Sequence, residues 1–108
     1  MAGAAILILT QMPDRATAQS PARSPVEARP FACVSIGTPV ESLYHWQGKI
    51  ETAQDFTDVV KTRSERYAAV EAAIRARHPY ELPEIIAVPL TDGFAPYRDW
   101  ITHETRAA

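Results

Sequence analysis

The side chains best suited to chemistry in this chain are few: His45, His78 and His103, the single Cys33, and Lys61. Imidazole and thiolate are the ligands that a soft transition metal prefers, and a lysine is a compact point charge that can hold a small anion. His78 immediately precedes Pro79, which ends a helix, so its type and place allow two roles. It can ligate a metal, or it can sit in the last helical turn, capping carbonyls and complementing the dipole. His45 falls on the polar face of an extended segment and His103 lies near the C-terminal end; both are expected to be solvated. Cys33 alternates away from Ala32 and Val34 and is expected to behave as a small hydrophobe.

Other chemistries lack their parts. The four glycines are scattered, so no loop is built to cradle phosphate, and neither a nucleophile elbow nor zinc-protease spacing is present. Carboxylates are plentiful, but the sequence places no spaced pair in one pocket. The expectation is a protein that is not an enzyme.

The 108 residues suit one domain over 1–108, with 46% hydrophobic and 22% charged residues. The formal net charge is −2 and no basic tract stands out, so no nucleic-acid partner is expected. One cysteine cannot form an internal disulfide, which favours a cytoplasmic location. The apolar run Ala4 to Leu9 has no basic residue before it and is followed by Pro13, Asp14 and Arg15, so it reads as a strand rather than a leader. No apolar run approaches the ~20 residues needed to cross a bilayer, and no membrane partner is expected.

The elements that must position these side chains follow from periodicity. Ile6 to Leu9 reads as a buried strand. Pro13 and Asp14 start a short helix that ends near Ser20, because Pro21, Pro25 and Pro30 cannot lie inside one continuous helix without losing hydrogen bonds. Phe31 to Ile36 is strand-like. From Val40 the pattern alternates, with Val40, Tyr44, Trp46 and Ile50 on one face of a half-buried strand and Gly48 permitting a bulge or bend. Phe56 to Thr62 is the next strand, in which Asp58 is either at an edge or a buried charge needing a partner. Ser64 can cap a helix with Tyr67, Val70 and Ile74 on its inner face, and Glu71 and Arg75 are spaced to pair. Ile85 to Leu90 is a further strand, and Pro96 opens a last helix with Tyr97, Trp100 and Ile101 inside. The order is α+β: a ferredoxin-like βαββαβ sandwich with an extra C-terminal helix and a first helix shortened or broken by prolines. The exposed aromatic row calls for self-association.

Four segments, S-L-Y-H-W-Q-G-K-I-E at Ser42 to Glu51, V-K-T at Val60 to Thr62, H-P-Y-E-L-P-E-I-I at His78 to Ile86 and Y-R-D-W-I at Tyr97 to Ile101, stand in a fixed order. In these the chain resembles the CutA family of divalent-cation tolerance proteins, and T-Q-M-P-D-R-A-T-A at Thr10 to Ala18 is similar to that family's strand-to-helix junction. The resemblance implies a homotrimer assembled through sheet edges, with a role in tolerance or binding of copper or another divalent cation. It also implies a metal site built from a cysteine at the end of the first strand and a His-His pair; here those positions are Thr10, Arg77 and His78, leaving His78 as the metal candidate. The family commonly carries an apolar residue at Asp58 and helix formers at Pro21, Pro25 and Pro30. Within the matched motifs, Tyr44, Trp46, Lys61, His78, Tyr80 and Glu84 are placed to line a cleft between subunits. Either that cleft holds a small anion or metabolite through Lys61, or Lys61 pairs with Glu84 and the aromatics pack an interface. The alternative function is that of a trimeric ligand sensor similar in plan to the PII signalling proteins, or a protein-interaction module.

Overall fold

In the computed structural model, which describes residues 4–23 and 30–106, the central strand is β1 (Ala5–Met12). It pairs antiparallel with β4 (Lys49–Arg63) on one side and β5 (Ile85–Pro89) on the other. Beyond β4 lies β2 (Cys33–Ile36), giving the order β2-β4-β1-β5. β3 (Val40–Trp46) pairs with the other end of β4, so the same long strand serves both the sheet and a projecting hairpin. With α1 (Arg15–Gln19) after β1 and α2 (Tyr67–Arg77) before β5, the chain has a ferredoxin-like α+β fold, and α3 (Ala95–Glu104) is added at the C-terminal end.

The core lies on one face of the sheet. Ile6, Ile8, Met12 and Val60 project from the strands against Ala18 of α1 and Val70 and Ile74 of α2. Each fully buried aliphatic side chain of this kind contributes roughly 1.5–3 kcal/mol. The inner helix face of Tyr67, Val70 and Ile74 is therefore as its periodicity predicts, although Tyr67 is only half-buried. Glu71 and Arg75 do approach, at 4.0 Å, and Glu71 also accepts from the Tyr67 hydroxyl at 2.8 Å.

The prolines act where expected. Asp14 caps α1, its carboxylate accepting from the Thr17 N–H at 2.7 Å, while Pro13 stays outside the helix. After five residues the α-helix gives way to a 3-10 turn over Ser20–Arg23 in which Pro21 is buried. Ser24 and Pro25 lie outside the described residues. Pro30 is buried, and its carbonyl accepts from the Thr62 hydroxyl at 2.6 Å, docking the returning chain on β4.

Four expectations are corrected. Val40 to Glu51 is not one strand: Gln47 (φ 50°) and Gly48 (φ 80°) form a two-residue turn with both residues left-handed, the arrangement whose twist matches a hairpin. The turn resets the alternation, so Ile50 lies opposite His45 and leaves the Tyr44 and Trp46 face. The strand expected from Phe56 runs without a break from Lys49. Ser64 does not cap α2; it opens a 3-10 turn over Ser64–Arg66, and its N–H donates to the Ala4 carbonyl at 2.9 Å. In α3 only Ile101 is buried, while Tyr97 and Trp100 stack on each other on the exposed side.

Candidate functional site

A polar cluster gathers where β1 ends, α2 stops and the hairpin leaves the sheet. His78 ends α2 with extended backbone (φ −83°, ψ 127°), as a residue preceding proline is constrained to do. Its Nε2 lies 2.7 Å from the Gln11 carbonyl, an acceptor only, so Nε2 carries the proton. Nδ1 accepts from the Tyr80 N–H at 3.3 Å. Burial holds His78 below the ordinary imidazole value, against the opposing pull of the Gln11 bond and of Asp55. The ring is thus neutral, with both nitrogens engaged. Tyr80 packs against it, centroids 4.8 Å apart, and donates its hydroxyl to the buried Asp55 at 2.7 Å. Burial pushes the Tyr80 phenol up to about 12, helped by its bond to Asp55 and by the nearby Asp55, Tyr44 and Asp14. Thr57 donates to the Gln11 side chain at 2.8 Å, completing the tie between β1 and β4.

Within one chain the structure brings His78, Tyr80 and Tyr44 together and leaves Trp46, Lys61 and Glu84 apart. Trp46 pairs with Lys49 at the hairpin tip, and Lys61 is six residues along β4 from Asp55, roughly 20 Å at ~3.3 Å per residue. Glu84 is exposed just ahead of β5. The expected Lys61–Glu84 pair does not form: Lys61 Nζ donates instead to Ser35 Oγ, and to Cys33 Sγ at 3.7 Å. Sequence reasoning missed Asp55 and Gln11. Asp55 is signalled only once the turn at Gln47 and Gly48 is placed, because the register then sets Asp55 opposite Val40, on the Tyr44 side. Gln11 contributes a backbone carbonyl, which no residue type announces.

A tight copper site does not fit the residues of one chain. A cation at Nδ1 would have to displace the Tyr80 N–H, and Thr10 offers no thiolate. Cys33 is cross-strand to Lys61, four residues or ~13 Å along β4 from Thr57. Among the described residues, no three His, Cys, Asp or Glu side chains converge. No helix among them is long and apolar enough to cross a membrane.

The fold and this inter-strand cluster define a ferredoxin-like domain with a projecting hairpin, and comparison with known proteins gives its family. The sequence pattern of the CutA1 divalent ion tolerance protein family matches residues 6–104. The divalent-cation tolerance protein CutA of Thermus thermophilus is 34% identical over 99 residues, covering 92% of this chain and 96% of that protein. Protein CutA of Homo sapiens is 37% identical over 95 residues, which are 88% of this chain and 53% of the human protein. Among solved structures, CutA from Xylella fastidiosa superposes with a TM-score of 0.88 at 38% identity, covering 94% of this chain and 98% of that one. A structure described as the periplasmic divalent cation tolerance protein CutA of Archaeoglobus fulgidus also has a TM-score of 0.88, at 36% identity over 94% of this chain and 99% of that one. The chain belongs to the CutA family of divalent-cation tolerance proteins.

Proposed function

We propose that this chain works as a homotrimer in tolerance of divalent metal, with copper the first cation to test and the cytoplasm its compartment. The observation that carries the assembly is the large apolar surface one copy leaves in water: Leu43 (65% exposed) and Ile50 (68%) on the hairpin, Leu82 (74%) before β5 and Phe94 (76%) before α3. Side chains of this size left in water mark contact surfaces. The cation comes from the family's name as a tolerance protein. Because His78 has both nitrogens engaged, copper binding at Nδ1 is weak and draws its further donors from neighbouring copies. Weak capture suits handling a cation in excess better than storing it. No catalytic step is part of this reading.

A second reading is favoured by one observation: among the described residues Lys61 has no carboxylate partner, only Ser35 and Cys33. An ammonium so placed is available to an anion, as in a trimeric ligand sensor built on the PII plan, with Tyr44, Trp46, Tyr80 and Glu84 lining a cleft between copies. Native mass spectrometry with and without Cu(II), on wild type and His78→Ala, separates the readings. A trimer that takes up copper, losing that uptake in His78→Ala, supports the first. A trimer indifferent to copper but carrying a small anion, lost in Lys61→Ala, supports the second. A monomer at micromolar concentration overturns both.

A further inference from the structure

Thr10 and Asp58 face each other across the β1–β4 ladder, on the side of the sheet that the helices cover. Both are enclosed within one copy, at 0% exposure, so the association of copies neither opens nor covers them. Among the described residues neither finds a partner: the Thr10 hydroxyl and both Asp58 carboxyl oxygens lack a hydrogen bond. Their surroundings have none to give. Asp58 has Ile36 across from it on β2, Thr10 has Ile85 across from it on β5, and Ile8, Met12 and Val60 flank the pair along their own strands. At this rung β1 and β4 are each paired on both edges, so their backbone groups are engaged in the ladders.

We propose that Thr10 and Asp58 form an internal hydration site that holds one ordered water between β1 and β4 in every copy. Cross-strand neighbours on one face have Cβ atoms about 5 Å apart. Polar groups that stand so close without bonding each other are at the spacing a single water bridges. Donors and acceptors match as well. Burial pushes the Asp58 carboxyl up to about 7, so at lower pH it carries its proton. A neutral carboxyl then offers one O–H donor and an acceptor oxygen, and the Thr10 hydroxyl accepts. One water can accept from the acid's O–H, donate back to its carbonyl oxygen and donate to Thr10 Oγ1. Three such bonds are usual for a buried water. A hard metal ion suits the place less, because it takes about six oxygen ligands and the pair supplies half that number. The adjoining rung is that of Gln11 and Thr57, to which His78 is tied. The end of β1 is thus fixed by side chains on one face and by a water on the other.

The test is a high-resolution crystal structure of the full chain at mildly acidic pH, with crystals grown in rubidium chloride, joined to oxygen-17 relaxation dispersion in solution. Wild type is expected to show one peak within hydrogen-bond distance of Thr10 Oγ1 and of an Asp58 oxygen, without anomalous signal. Thr10→Val keeps the side-chain shape but removes the hydroxyl; it is expected to lose the peak, and its solution to hold one fewer long-lived water per chain. Asp58→Asn, whose amide also donates and accepts, is expected to keep the water. A direct bond between Thr10 and Asp58 with no water beside it overturns the proposal. So does an anomalous peak, which marks a bound cation, or a water that persists unchanged in Thr10→Val. Should Thr10→Val fail to fold, the wild-type and Asp58→Asn structures decide the matter by the presence or absence of the bridging peak.

Discussion

Asp58 sits in the core with both carboxylate oxygens unpartnered, and its register neighbour on β1, Thr10, has an orphaned hydroxyl as well. On β2 its neighbour is Ile36, and no charged group contributes to its titration. Burial alone pushes its carboxyl up to about 7 from 3.8. The proton therefore binds more tightly in the folded chain than in the unfolded one. Stability is fully present below about pH 4, falls as pH rises toward 7, and is level above that, a loss of roughly 4 kcal/mol at ~1.4 kcal/mol per unit. Water drawn in by the ionised carboxylate reduces that figure. Denaturant melts across this range are expected to show the decline in wild type and to lose this component in Asp58→Asn. Asp58→Met is expected to raise stability near pH 7 by ~2 kcal/mol or more, since an apolar side chain replaces an unpartnered acid. The sequence announces this residue, because alternation through Phe56, Asp58 and Val60 puts an acid on the core face. It does not announce that no partner answers it, nor that Lys61 turns to Ser35 and Cys33; those depend on which strand lies alongside.

At the scale of elements, β1, α2 and β5 follow from apolar period and from Pro79, and the broken first helix follows from proline chemistry. The hairpin turn is harder to read. Gln47 is left-handed (φ 50°) without being glycine or asparagine, so the usual Asn-Gly signal is missing and the two strands look continuous. Around Gly48 a Cβ would meet nothing within 4 Å, so substitution there tests conformation alone. Gly48→Ala is expected to cost ~1 kcal/mol or slightly more, and Gln47→Asn to add a few tenths of a kcal/mol, in equilibrium unfolding. Equal midpoints for all three chains would contradict the left-handed turn. The exposure of Tyr97 and Trp100 escaped the periodic reading of α3, because spacing at i, i+3 and i+4 puts them on one stripe with Ile101, of which only Ile101 is buried.

For the molecule as a whole, the apolar side chains left uncovered by one copy are the main departure from a self-sufficient domain, and they lie on the hairpin, on β5 and on and before α3. Ile50→Glu and Leu43→Glu place charges on the hairpin without touching the core. Size-exclusion chromatography with light scattering is expected to show a smaller species for each, with far-ultraviolet circular dichroism unchanged. An assembly of wild-type mass in both would remove the hairpin from the contact. The family-level reading was legible because its motifs coincide with the polar cluster and the hairpin. The split of the proposed cleft residues was not, because they sit on separate elements: Tyr44 and Trp46 on β3, Lys61 near the far end of the fifteen-residue β4, and His78, Tyr80 and Glu84 between α2 and β5. That strand, β4, answers to β1 and β2 along its inner rungs and to β3 alone along its outer ones. Deleting a single residue at the bend between β3 and β4 would slip one ladder by a rung, turning Tyr44 and Trp46 to the opposite side, and leave the other ladder in step. In the proposed homotrimer, sister copies would then lose their contact while each copy stayed folded, so association and folding would depend on separate lengths of the same backbone.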